Sequence, residues 1–225
     1  PYFLQLREVN QAGPRLYGQR PPALAQLTVA QFDAVTAAGA EVIDVRSIDE
    51  FSSGHVPESL SIALRPQFAT WLGWLVDRKR PIVFVADEGV DRSQLVRSCL
   101  RIGFERLTGE LTGGAAAWSA AGRQLSRIPL VRPGEDDAER RIIDVRQRSE
   151  WNQAHLSGAL GVELGAINDR WGELAGAPAL VHCSHGERAM TAASLLARGG
   201  NPDVAVLDGG PEELAAASDL DLQMP

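Results

Sequence analysis

One segment of this chain is written twice. Val42-Ile43-Asp44-Val45-Arg46 returns as Ile142-Ile143-Asp144-Val145-Arg146, 100 residues later. Asp49-Glu50-Phe51 is answered by Ser149-Glu150-Trp151, and Gly54-His55-Val56-Pro57 by Ala154-His155-Leu156-Ser157. Farther on, Pro81-Ile82-Val83-Phe84-Val85-Ala86 is answered by Pro178-Ala179-Leu180-Val181-His182-Cys183, each leading to a helical pattern that stops at Gly103 and Gly200. Leu111-Thr112-Gly113-Gly114 is answered by Leu207-Asp208-Gly209-Gly210. Matched landmarks in the same order mean two copies of one folding unit.

Within a copy, short apolar runs alternate with helical patterns, which predicts an α/β fold with a parallel sheet flanked by helices. In the first copy the expected strands lie near 41–45, 61–63, 81–86 and 107–111, and the helices near 28–38, 48–52, 66–76, 92–101 and 115–120. The second copy lacks an opening helix, having instead the polar stretch Arg132-Pro133-Gly134-Glu135-Asp136-Asp137. That stretch, with Ala121-Gly122 before it, reads as a linker. The expected organisation is an arm over residues 1–24, a first domain over 25–126 and a second over 127–225.

The two copies differ where chemistry can occur. Ala179-Leu180-Val181-His182 reads as a buried strand, and the segment from Ala189 to Arg198 as a helix stopped by Gly199-Gly200. Between them stand Cys183-Ser184-His185-Gly186-Glu187-Arg188. The carboxyl end of a strand feeding a helix is where an open α/β sheet builds its reactive site. The N–H groups of Ser184, His185, Gly186, Glu187, Arg188 and Ala189 can form an anion cradle if the loop curls, which Gly186 permits. Arg188 adds a fixed positive charge, whereas His185 adds one only when protonated. Glu187 runs against this trend and is expected to point outward. A thiolate is the expected working form, and it must be reachable from solvent. The first copy has Ala86 at the cysteine position, then Asp87-Glu88-Gly89-Val90-Asp91, with Asp91 in the place of the arginine. A methyl group cannot do a nucleophile's work, so this copy is expected to be silent.

Composition narrows the partners. A net charge of −7 leaves no basic face for nucleic acid. No apolar run approaches the ~20 residues of a membrane span. The two cysteines, Cys99 and Cys183, form no disulfide framework, and a free thiol suits a reducing cytoplasm. The chain opens on Pro1, as a processed or truncated chain would.

These residues resemble the rhodanese family of sulfurtransferases. The resemblance rests on Asp-Val-Arg followed by Glu-Phe/Trp and Gly/Ala-His, on Cys-x-x-Gly-x-Arg after an apolar strand, and on the closing Gly-Gly pair. It covers about residues 25–217 and implies two tandem rhodanese-like domains. It further implies that Cys183 takes a sulfane sulfur from a small anionic donor as a covalent persulfide, without metal or other cofactor, and passes it to a thiol or cyanide. The silent copy of such pairs packs against the active one. Residues 1–24 resemble the connector behind a metallo-β-lactamase-fold domain in fusions similar to persulfide dioxygenases, which makes an upstream domain of that kind a candidate partner. That domain's His-x-His-x-Asp-His motif is not in this chain, whose histidines are His55, His155, His182 and His185.

Three functions stay open at this level. Sulfur transfer leads, with thiosulfate, 3-mercaptopyruvate or small persulfides as donors. An accessory module relaying sulfur for a metal-dependent persulfide-oxidising domain is the second. A small-anion phosphatase or arsenate reductase is the third, disfavoured because four residues rather than five separate Cys183 from Arg188. Asp144 and Arg146 recur as Asp44 and Arg46, which favours support of the loop, with Arg146 pairing Glu150. His55, His155 and His182 read as structural, and Cys99 as core. Trp118 and Trp151 are the clearest core tryptophans, and no stacking platform for bases is visible.

Overall fold

The computed structural model describes residues 11, 21–135, 139–201, 203–218 and 220–224. The arm over 1–24 falls almost wholly outside the described residues, as does part of the linker. The first copy runs β1 (Gln26–Leu27), α1 (Val29–Ala37), β2 (Glu41–Asp44), α2 (Ile48–Ser53), β3 (Leu60–Ser61), α3 (Phe68–Leu75), β4 (Ile82–Val85), α4 (Arg92–Arg101), β5 (Leu107–Leu111) and α5 (Gly114–Ala120). The second runs β6 (Leu130–Val131), β7 (Arg141–Asp144), α6 (Arg148–Trp151), β8 (His155–Leu156), β9 (Leu160–Gly161), a 3-10 turn (Leu164–Ala166), α7 (Trp171–Leu174), β10 (Ala179–His182), α8 (Glu187–Arg198), β11 (Val204–Leu207), α9 (Pro211–Ala217) and β12 (Leu222–Gln223).

The two main sheets share one plan, β1-β5-β4-β2-β3 and β6-β11-β10-β7-β9. The pairs β1–β5, β5–β4 and β4–β2 of the first and all four pairs of the second run parallel, so the α/β class and the repeat both stand. Among the described residues, 48–61 pack as one unit with those from 126 onward, while those up to 47 and 62–125 form the other. In each sheet the central strand is buried along its whole length, Ile82–Val85 in one and Ala179–His182 in the other. Continuous Val/Ile/Leu runs are what a strand covered on both faces requires. Two features carry no signal in the sequence. The two-residue edge strands β1 and β6 are too short to show a period, and β12 pairs antiparallel with β8 as a separate ribbon.

Candidate active site

The register of β10 places the thiol. Leu180 pairs with Ile142 and His182 with Asp144 on one side, and Val181 with Val206 on the other, so Cys183 emerges at the centre of the sheet's carboxyl edge. Gly186 turns the loop with φ +83°, and α8 begins one residue later. From Ala189 to Leu196 every residue of α8 is buried. The small side chains of Ala189, Ala192, Ala193 and Ser194 let the helix approach closely, and Ser194 Oγ accepts the N–H of Ser61 at 3.1 Å.

The predicted loop residues come together. Among the described residues no backbone carbonyl accepts from the N–H groups of Ser184, His185, Gly186, Arg188 or Ala189, while Met190 N–H donates to the Gly186 carbonyl at 2.7 Å. The loop therefore has donors to spare, and the dipole of α8 adds to them. Arg188 lies across it. Its Nη1 donates to Glu150 Oε2 at 2.5 Å, and its Nη2 to Glu150 Oε1 at 2.8 Å and Ser184 Oγ at 3.1 Å. Ser184 Oγ in turn donates to Glu150 Oε1 at 3.1 Å. The Arg188 hydrogen bonds hold the Glu150 carboxyl down at about 2, against the effect of its burial. Glu150 holds the guanidinium charged in return, opposed by burial, with Cys183 contributing in the same direction. A carboxylate fork thus fixes the cation of the loop in one orientation.

This is a correction to the expected pairing of Arg146 with Glu150. Arg146 folds back on Asp144 through Nε at 2.9 and 3.1 Å and Nη2 at 2.7 Å, and Nη2 also reaches the Ala154 carbonyl at 2.6 Å. The reason is local: a carboxylate two residues earlier at the strand end also accepts the Arg146 N–H at 2.9 Å, closing a ring within one turn. Asp44 and Arg46 repeat the ring, with Nη2 to Oδ2 at 2.6 Å. An arrangement present in both copies is scaffold.

Burial is the second departure. Cys183 is 1% exposed, so the thiol is the floor of the loop rather than an open group. Ile48 helps close it, its Cδ1 lying 2.9 Å from where a Cβ on Gly186 would stand, with Leu130 Cδ1 at 3.9 Å. Neither residue carried a signal in the sequence, because an apolar wall looks like core. His185 is exposed and Glu187 half-buried. His182 is fully buried, with Nδ1 at 3.4 Å from the Cys183 carbonyl and Nε2 at 3.7 Å from Asp144 Oδ2. Cys99 is fully buried in α4, and burial pushes its thiol up to about 12.

The first-copy loop is built the other way round. Arg92 Nη1 donates to the carbonyls of Asp87 at 2.5 Å, Glu88 at 3.1 Å and Val90 at 2.8 Å, while its Nε reaches Glu110 Oε2 at 3.0 Å. Carbonyl oxygens converge there on a cation, where the second loop leaves N–H groups for an anion. Among the described residues no group of three or more His, Cys, Asp or Glu is placed to hold a metal, and no helix is long and apolar enough to cross a membrane.

The family described as Rhodanese-like domain matches twice, over residues 28–121 and 131–217. Among solved structures, a thiosulfate sulfurtransferase from Pseudomonas aeruginosa is 22% identical with a TM-score of 0.37; the match covers 89% of this chain and 41% of that one. The Alr3790 protein from Anabaena sp. is 26% identical with a TM-score of 0.34, over 40% of this chain and 80% of that one. A rhodanese-related protein from Thermoplasma volcanium is 16% identical with a TM-score of 0.38, over 43% and 99%. No curated protein matches. The two family matches take in most of the chain, which therefore belongs to the rhodanese-like domain family and carries two such domains.

Proposed function

We propose that the protein is a sulfurtransferase in which Cys183 carries sulfur as a persulfide between an anionic donor and a thiol or cyanide acceptor. The observation that carries this is the loop itself: one thiol beneath uncommitted N–H groups, faced by an arginine that Glu150 holds in place. With thiosulfate, the Cys183 thiolate attacks the sulfane sulfur. The new S–S bond forms as the old one breaks, and sulfite leaves with the electron pair. The terminal sulfur then bears the negative charge, lying about 2 Å beyond Sγ. Loop donors and Arg188 stabilise that charge without reorganising. An acceptor thiolate removes the outer sulfur and restores Cys183, so the kinetics are ping-pong. Burial of Sγ fits a group that meets one sulfur atom at a time, and the persulfide brings the reactive atom toward the mouth.

The first domain is silent in this reading, since Ala86 offers no nucleophile and Arg92 fills its loop. A cytoplasmic location and operation without a cofactor belong to the same proposal. The test is a thiosulfate:cyanide assay with mass spectrometry of the donor-treated protein. The expected result is one added sulfur, on Cys183, with a fall of at least a thousandfold in Cys183→Ser. Full transfer by that variant sinks the assignment. Hydrolysis of a generic phosphate ester at a comparable rate would favour the phosphatase reading instead.

A further inference from the structure

A cavity of about 440 Å³ opens at the carboxyl edge of the second sheet, lined by Arg146, Arg148, Arg170, Trp151, Gly161 and Glu163 among others. One lining residue, Trp151, directly follows Glu150, which clamps Arg188, on α6. Asp144, which holds Arg146, is paired in register with His182, the residue before Cys183. The cavity and the thiol thus lie on one edge of one sheet.

Its charge is unusual for a chain of net charge −7: three guanidiniums face it against one carboxylate. Asp144 stands behind Arg146, and Glu173 behind Arg170 with contacts of 3.0 and 2.6 Å. Arg170 Nη1 also braces the Gly161 carbonyl at 2.7 Å. Two donors remain. Arg146 is 7% exposed, yet its Nη1 takes no partner among the described residues and is not sealed off. Arg148 donates its backbone N–H to Glu163 Oε1 at 2.6 Å, while its guanidinium takes no partner among the described residues. The silent copy supplies a control. At the 100-residue offset Arg46 answers Arg146, whereas Ile48 answers Arg148 and Ala63 answers Glu163. The Arg148 guanidinium therefore has no counterpart at this position in the copy that lacks the cysteine.

We propose that this cavity is an anion subsite holding the carboxylates of an organic persulfide whose sulfur Cys183 accepts, an inference that rests on the sulfur-transfer reading. Thiosulfate occupies on the order of 100 Å³, three or four water volumes, and leaves such a space empty. A volume of 440 Å³ is instead that of a pocket for a small organic molecule. Arginine forks match carboxylates two oxygens at a time, and the Trp151 ring beside Gly161 offers an apolar wall for the body between. The reaction balances: the Cys183 thiolate attacks the terminal sulfur of R–S–S⁻, Cys183–S–S⁻ forms, and R–S⁻ departs with the electron pair of the broken bond.

The experiment compares persulfides prepared from mercaptosuccinate, with two carboxylates, and from mercaptoethanol, with none, on the full chain and its Arg148→Glu variant. Wild type is expected to prefer the carboxylated donor at least fivefold in kcat/KM, and Arg148→Glu to remove most of that preference. A ratio near one in wild type, or an unchanged ratio in the variant, overturns the subsite. Calorimetry with S-methylmercaptosuccinate on Cys183→Ser, with and without Arg148→Glu, reads the cavity without turnover. Binding weakened by the second change supports the subsite, and no binding overturns it. If no donor loads Cys183 while the probe still binds, the sulfur-transfer reading fails and the anion site survives.

Discussion

Two buried or half-buried side chains decide how the site answers to pH. Glu150 titrates at about 2, so it stays ionised through any ordinary assay and its clamp on Arg188 holds. Its folded value lies below the ordinary 4.5, so its contribution to stability is present above about 4.5 and is lost as pH falls toward 2. That contribution is about 1 kcal/mol or less, since the pair is partly exposed. Glu150→Gln is therefore expected to leave thermal stability near neutrality within a few degrees while lowering transfer about tenfold, because Arg188 loses its fixed aim. Equal losses of stability and activity would mean that the clamp is only structural. His182 behaves differently. Burial, partly offset by Asp144, pushes its imidazole below the usual 6.5, so the unfolded chain takes up the proton first. Stability then declines as pH drops below about 6.5. The first copy has Val85 at this place, paired with Asp44 in the same register. His182→Val should flatten the fall in melting temperature between pH 7 and pH 5, as followed by circular dichroism. An unchanged slope would show that other groups set it.

At the level of elements, the loop–helix junction separates the copies. Gly186 sits at φ +83°, which costs an L side chain about 1–2 kcal/mol, and an added Cβ would press on Ile48. Its counterpart Gly89 has no positive φ, and a Cβ there would meet nothing within 4 Å. Gly186→Ala is expected to reduce transfer at least tenfold, and Gly89→Ala to leave it within twofold. Assaying the two side by side checks this, and equal effects would refute it. The junction is legible in the sequence because strand, turn and helix each have a local signature: a continuous apolar run, a glycine, and a periodic stretch ended by Gly199-Gly200. The partner of Glu150 is not legible there. Arg146 and Arg188 are both arginines within reach on paper, and only the closed ring of Asp144 with the Arg146 N–H decides between them. Ile48 is hidden for a related reason, since a residue 138 positions from Gly186 becomes its neighbour only through the fold. The two-residue strands β1 and β6 escape for lack of length, as no period exists in so short a run.

For the whole molecule, duplication followed by divergence is written in loop polarity. Both copies keep the sheet order, the Asp–Arg ring and the histidine that bonds the carbonyl four residues earlier, His55 to Phe51 at 2.9 Å and His155 to Trp151 at 3.1 Å. What changed is the sign of the charge each loop encloses. In the first, the guanidinium of Arg92 is held by three carbonyls and by Glu110, which is itself 4% exposed and bonded to Gln26 Nε2 at 2.5 Å. Restoring a thiol alone should therefore not restore chemistry. Ala86→Cys, made in a Cys183→Ser background, is expected to gain no sulfur from thiosulfate, because its loop turns oxygens rather than N–H groups toward the incoming charge. Adding Asp91→Arg and Arg92→Ala, which copy Arg188 and Ala189 of the second loop, should yield a measurable persulfide by mass spectrometry. Full loading of the single Ala86→Cys change would show that the missing sulfur atom alone silences the first domain, and that the inverted loop is incidental.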